Sequence, residues 1–213
     1  GIAGSTALLL TGFGIKDSIK AVVSKQYGEL TKYEMALNLD NNISDEEFSS
    51  IKNEISEDEN IEDYLFVTSE NSKVIAKDMS KDVSLIVSND NDKFNNFELL
   101  RNRISGDIIE LTEENVVISE KLAKLLNVKV GDEVEITNNN DKKGKVKIGS
   151  IAERYVNNYI YISEKYYEEV FNENAKINSI LLKLNKESLV NEVSNKFITM
   201  DGISGTVNNT SAK

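Results

Sequence analysis

At 213 residues, 39% apolar and 29% charged, the chain can build one substantial domain or two small ones sharing an interface. A formal net charge of -11, with no Lys/Arg cluster to override it, argues against a phosphate-binding surface and so against nucleic acid. There is no Cys, His, Trp or Pro. Disulfides, zinc thiolate sites, Cys nucleophiles and Ser-His catalysis are excluded together.

Gly1 opens the chain without an initiator Met, as expected of a fragment, a processed product or an excised piece. Residues 1–15 carry no charge but fall short of the about 20 apolar residues that span a bilayer. Gly1, Ala3, Gly4, Ser5 and Ala7 are small residues of the kind that let membrane helices approach closely. Either a buried N-terminal helix or the last turns of a transmembrane helix fits them. Beyond Lys16, apolar Ile19, Val22, Val23, Tyr27 and Leu30 recur at helical spacing. A membrane-like helix running into an amphipathic one reads as a stalk leaving the bilayer.

Tyr33, Met35, Leu37 and Leu39 alternate with other residues and predict a half-buried strand. Ser44 and Glu47 form an S-x-x-E capping pair that opens a helix with Phe48, Ile51 and Ile55 on its inner face. Nine carboxylates and one lysine between residues 45 and 63 suggest a solvated outer face rather than a cation site. Strands are predicted over residues 64–68, 73–76 and 84–87. Residues 88–107 are polar and weakly patterned, and read as a boundary.

Further along, residues 116–118 predict a strand, Ser119 a helix cap, and Leu122, Leu125 and Leu126 a short buried stripe. Val128 and Val130, then Val134 and Ile136, flank Gly131-Asp132 as strands flank a tight turn. Another alternating strand holds Val146 and Ile148. The stretch 159–162 predicts a strand that feeds a helix over 163–171, capped by Ser163. A strand over 179–184 and a helix over 187–197 follow, and residues 202–213 read as a linker. The whole is α+β.

No motif for chemistry survives inspection. Asp90-Asn91-Asp92 opens like a calcium loop, but Asn95 stands where Gly is needed and Arg101 where Glu is needed. Gly12-Phe13-Gly14 lacks the remaining dinucleotide-site glycine, and there is no Walker A sequence. With 36 acids, a carboxylate hydrolase is not excluded by counting, but nothing singles out a pair. No metal, cofactor or catalytic residue is therefore expected. Tyr155, Tyr159, Tyr161, Tyr166 and Tyr167 are the one aromatic concentration. Their spacing suggests packing first; Tyr155, Tyr159 and Tyr161 are the candidates for a ligand-facing patch.

The sequence GIAGSTALLLTGFGIKDSI (residues 1–19) resembles the exit of a transmembrane helix in large Firmicutes permeases of the FtsX/MacB-like ABC-transporter family. The block ENVVISEKLAKLLNVKVGDEVEI (residues 114–136) resembles a second stretch common in their outer domains. The resemblance implies a MacB-periplasmic-domain-like fold, a split α/β subdomain with an inserted β-richer one. The expected division is residues 1–18 as helix end and stalk, 19–95 with 159–207 as the split α/β part, 96–158 as the insert, and 208–213 as a linker toward the next transmembrane helix. It implies an extracellular domain on a Gram-positive-like cell membrane, joined to transmembrane helices of the same polypeptide and served by a separate cytoplasmic ABC ATPase. Gly12, Phe13, Gly14, Asp17 and Ser18 would then transmit motion along the stalk, with both chain ends on one side of the domain. Export, resistance and signalling all remain open, as does a peptide, lipid or cell-wall ligand. The alternative is a secreted or surface-anchored module binding peptide or wall polymer through the tyrosines.

Overall fold

The computed structural model describes residues 26–209, so Gly12, Phe13, Gly14, Asp17 and Ser18 lie outside the described residues. After a π-helical turn at Gln26–Leu30 come β1 (Met35–Leu39), α1 (Asp45–Glu57), β2 (Ile61–Ala76), β3 (Met79–Ser88) and α2 (Asn91–Phe97). Then follow β4 (Val116–Ser119), α3 (Glu120–Leu126), β5 (Glu133–Thr137), β6 (Lys143–Ala152), β7 (Tyr159–Ser163) and α4 (Glu164–Phe171). The chain closes with β8 (Ser179–Leu184), α5 (Val190–Ile198) and β9 (Ile203–Asn208).

All nine strands among the described residues belong to one sheet, and β2 organises it. With 16 residues β2 is long enough to serve two structures. Its first half pairs with β8, which pairs with β1, which pairs with β9. Its second half pairs with β3 along one edge and, at Lys73–Ile75, with β5 along the other. Because β3 continues through β7, β4 and β6 back to β5, these six strands close into a ring. Closure removes the free edges that a small sheet must otherwise protect.

Strand alternation fills both layers. Val74, Leu85, Val116, Ile136, Ile148 and Ile160 share one core with Leu122 and Leu126 of α3 and Tyr167 and Phe171 of α4. Gly144 on β6 is where α4 comes close: a Cβ there would lie 2.2 Å from Val170 Cγ1. In the open part of the sheet, Met35, Leu37, Ile180 and Leu182 pack on Ile51 and Ile55 of α1 and Val193 and Phe197 of α5. α1 starts at the predicted capping box, with Glu47 N–H donating to Ser44 Oγ at 3.1 Å and Ser44 N–H to Glu47 Oε1 at 2.9 Å. A third cluster joins the layers. Ala36, Leu65, Val67 and Leu181, from the other face of the open sheet, meet Val117, Ala152 and Tyr161 from the outside of the ring, with Phe94, Phe97 and Leu100 between them.

Several expectations change here. Residues 64–68 and 73–76 are one strand, residues 88–107 contain α2, and residues 203–208 of the expected linker are a strand. Val128 and Val130 are not in a strand, although Gly131 does turn with φ of 96°. Ser163 caps α4 by accepting from Tyr166 N–H at 3.1 Å, whereas Ser119 stands at the N-cap position of α3 but its hydroxyl makes no capping bond and accepts from Tyr159 N–H at 3.2 Å. The expected insert began at residue 96, but strand pairing sets β3 and β7 in the same ring as β4, β5 and β6. The break in pairing therefore falls within β2.

Candidate functional site

Residues 29–34, which precede β1, are wired into the crossing between sheet and ring. Lys32 N–H donates to Phe97 O at 2.8 Å and Leu99 N–H to Leu30 O at 2.8 Å, so the incoming segment runs beside residues 97–99. The far end of the domain returns to the same place. Met35 is the register partner of Asn208, and Asn209 N–H donates to Glu34 O at 2.9 Å. The residues just before β1 and just after β9 thus lie side by side.

Two polar networks fix this junction. In the first, Arg154, only 3% exposed, donates from Nε to Tyr161 OH at 2.8 Å and from Nη1 to the carbonyls of Leu99 and Glu153, each at 3.0 Å. Its Nη2 pairs with Glu98 Oε2 at 3.2 Å. Glu98 is also hydrogen-bonded by Tyr33 and Tyr161. Burial pushes the Glu98 carboxyl up, and the charge and hydrogen bond of Arg154 oppose that rise. Burial likewise raises the Tyr33 and Tyr161 phenols, so both stay protonated donors. In the second network, Arg101 bridges Glu29 Oε2 at 2.7 Å and buried Glu153 Oε1 at 2.8 Å, and Tyr155 OH bonds the other Glu153 oxygen. Arg154 to Leu99 and Glu98, and Arg101 to Glu153, join the residues after α2 to the outside of the ring, while Arg101 to Glu29 and Glu98 to Tyr33 tie residues 29–34 to them.

Another buried carboxylate lies in the ring. Glu70 Oε1 and Oε2 accept from Tyr167 OH at 2.8 and 3.0 Å, and Tyr167 OH accepts from Asn138 Nδ2 at 3.1 Å. Burial raises the Glu70 carboxyl; the Tyr167 hydrogen bond lowers it, and the nearby Glu173 charge adds to the rise. The native state therefore holds its proton to higher pH than the unfolded chain. This contribution to stability is fully present below the ordinary carboxylate range and is lost as pH rises through the folded-state value. Glu70→Gln keeps an acceptor for Tyr167 and removes the charge. Its stability advantage over the wild type is expected to grow between pH 4 and 8 to about 1 kcal/mol, the scale of a single buried polar change. Urea denaturation across that range measures it; a pH-independent difference would refute the assignment.

The three candidate tyrosines do not form one patch. Tyr161 is 0% exposed and belongs to the core, its hydroxyl held by Arg154, so it cannot face a ligand. Tyr155 lines a surface hollow with Arg103, Glu120 and Lys124. Tyr159 lines a different cleft, beside Tyr33 and Glu98, and stacks on Tyr161 at 5.6 Å between ring centroids. Sequence inspection missed Arg154, Glu98, Arg101 and Glu153; the run Glu153-Arg154 carries no signal that both would be buried. Among the described residues, no group of three or more acids is placed to hold a metal ion. No helix among them is long and apolar enough to cross a membrane.

The profile of the MacB-like periplasmic core domain matches residues 1–199. The chain belongs to that family. A MacB-like core domain is the periplasmic or extracellular part of an ABC-transporter permease, so membership brings membrane helices and a cytoplasmic ATPase with it. Such domains are generally not catalytic. Solved structures show the same fold. The periplasmic region of MacB from Actinobacillus actinomycetemcomitans aligns with a TM-score of 0.53 at 14% identity, over 89% of this MacB-like chain and 94% of that one. The extracellular domain of the noncanonical ABC-type transporter YknZ from Gram-positive bacteria aligns at 0.50 and 8% identity, over 82% of this chain and 98% of that one. No curated protein matches the sequence. The MacB-like, α+β expectation is met.

Proposed function

We propose that this extracytoplasmic domain converts movement of its permease's membrane helices, driven by ATP hydrolysis in the partner ATPase, into a change in how the ring sits against the open sheet. One observation carries the reading: Glu34, just before β1, and Asn209, just after β9, are hydrogen-bonded to each other, and residues 29–34 beside them are tied to the ring through Arg101 and Arg154. A pull on residues 29–34 acts first on Glu29 and Tyr33, then on Arg101 and Glu98, then on Glu153, Arg154 and Tyr161. Small displacements at such a joint shift packed units as bodies, because packed interiors do not deform continuously. In a Gram-positive-like cell the work would appear at the extracellular face, as export, resistance or signalling.

The test uses the full permease with its ATPase in membranes. Spin labels are placed at two exposed positions, Lys52→Cys on α1 and Asp78→Cys in the β2–β3 turn. The inter-label distance is expected to shift between ATP- and ADP-bound states. Arg101→Ala should leave ATP hydrolysis within about twofold and remove most of the shift. A distance indifferent to nucleotide, or a shift that survives Arg101→Ala unchanged, sinks the proposal.

A further inference from the structure

The wall of the ring is incomplete at one place. β7 pairs with β3 only from Ser84 onward, so beside Asp82 and Val83 the residues that precede β7 stand in place of a strand. Asn158 is held there by Ser84 N–H, which donates to Asn158 O at 2.8 Å, and by its own Nδ2, which donates to Asp82 O at 3.4 Å. The hollow at this place has a volume of about 770 Å³, within the range of small-molecule sites. Val83 is the one apolar residue among the described residues that line it. Asn71, Asn139, Asn157 and Asn158, with Ser72 and Thr137, bring carboxamides and hydroxyls, which both donate and accept.

Two of these side chains carry buried polar atoms without a hydrogen-bond partner. Ser72 lies opposite Val83 in the β2–β3 pairing and is 4% exposed, and its Oγ is unpartnered. Asn158 Oδ1 is buried and unpartnered as well. Native proteins leave few such atoms. Among the described residues Asn209 Nδ2 is the third, so two of the three border one hollow. Asn158 Oδ1 can only accept, whereas Ser72 Oγ takes either role. A ligand that meets both needs closely spaced groups able to donate and accept, as the hydroxyls of a sugar do. Charge around the hollow is balanced: Lys73 and Lys121 face Asp82 and Asp141 in number, and Lys73 is the register partner of Asp82.

We propose that this hollow binds a neutral saccharide, with one sugar hydroxyl donating to Asn158 Oδ1 and another sharing a hydrogen bond with Ser72 Oγ. Other occupants fit less well. An apolar ligand would meet a single valine. An anion would meet two aspartates on a chain carrying -11. No group of three or more acids among the described residues is placed to hold a metal ion. The site goes beyond the coupling reading and needs only this chain, so its test is independent of nucleotide.

The chain is labelled with nitrogen-15 and titrated at pH 6.5 with three sugars that share one ring and differ in charge: N-acetylglucosamine, glucuronate and glucosamine. With the neutral sugar, saturable amide shifts are expected at Ser72, Val83 and Asn158. Hydrogen bonds alone hold it, so half-saturation is expected at about 1–10 mM. Ser72→Ala should bind it roughly fivefold more weakly, the worth of one hydrogen bond. Its melting temperature should be unchanged or higher, because the hydroxyl makes no bond in the free chain. Asn158→Leu, which keeps the shape and removes the acceptor, should weaken binding by at least as much. Shifts that do not saturate, or that centre elsewhere, overturn the site. So does wild-type affinity in both variants, or a Ser72→Ala chain that melts lower and binds normally, which would give the hydroxyl a structural role. Glucuronate or glucosamine binding as tightly as N-acetylglucosamine overturns the neutral ligand.

Discussion

Arg154→Met is expected to destabilise the domain by about 3–5 kcal/mol, the usual result of removing one partner from a buried ion pair. The arginine is 3% exposed and makes four interactions through three nitrogens, one of them to the Glu98 carboxylate. Methionine of similar length fills much of the space but leaves Glu98, whose side chain is only 15% exposed, as a largely desolvated charge held by phenol donors alone. The diagnostic is the double variant. Glu98→Gln removes the charge that Arg154 compensates, so Glu98→Gln with Arg154→Met should recover a large part of the loss. Urea denaturation of the three variants gives the coupling energy as a double-mutant cycle. If Arg154→Met costs under about 0.5 kcal/mol, as an ordinary surface change does, the network does not hold the junction.

That junction could not have been read from the sequence, and the reason is specific. Glu98 and Arg154 are 56 positions apart and meet only because α2 and the following residues cross from the open sheet to the outside of the ring. Nothing local marks either as buried. Regular patterns gave much better returns. The capping box at Ser44 and the Ser163 cap depend on neighbours within four residues, and both occur in the structure; β1 forms where expected, but Ala36 on its second face is buried too, so its burial does not alternate. The polar run Ser69-Glu70-Asn71-Ser72 separates the two strands predicted over 64–68 and 73–76, which in the structure are one, β2. In the ring, Glu70 and Ser72 are buried inward-facing residues in unbroken strand, and Glu70 is satisfied by Tyr167 from a distant helix. The turn that follows uses Lys77 and Asp78 at φ of 49° and 68° without a glycine to announce it. α2 did carry a local signal. Asp90 caps it by accepting from Asp92 and Lys93 N–H at 3.1 and 3.3 Å, with Phe94 and Phe97 one turn apart on its buried side. The same acidic letters suggested a failed calcium loop and hid the cap. β9 is legible only once β1 exists to pair with it.

Because β2 runs through both the open sheet and the ring, the two parts are expected to unfold together, and Phe97→Ala tests this. Phe97 is 0% exposed and lies between the layers, touching neither the α1/α5 core nor the interior of the ring. Truncating a buried phenylalanine costs about 3–5 kcal/mol through lost burial and the cavity left behind. Native-state hydrogen exchange shows where that cost falls. The slowest amides of the open sheet, such as Leu37, and of the ring, such as Ile136, exchange through global unfolding if the domain is one cooperative unit. Both should then lose protection by the same amount in Phe97→Ala, and a single denaturation transition should remain. If Ile136 keeps its wild-type protection while Leu37 loses it, or the reverse, the shared strand does not bind the two parts into one unit. A movable joint between them would then be free to open by local unfolding, and the rigid-body transmission proposed through Arg101 and Arg154 would have no stiff frame to act on.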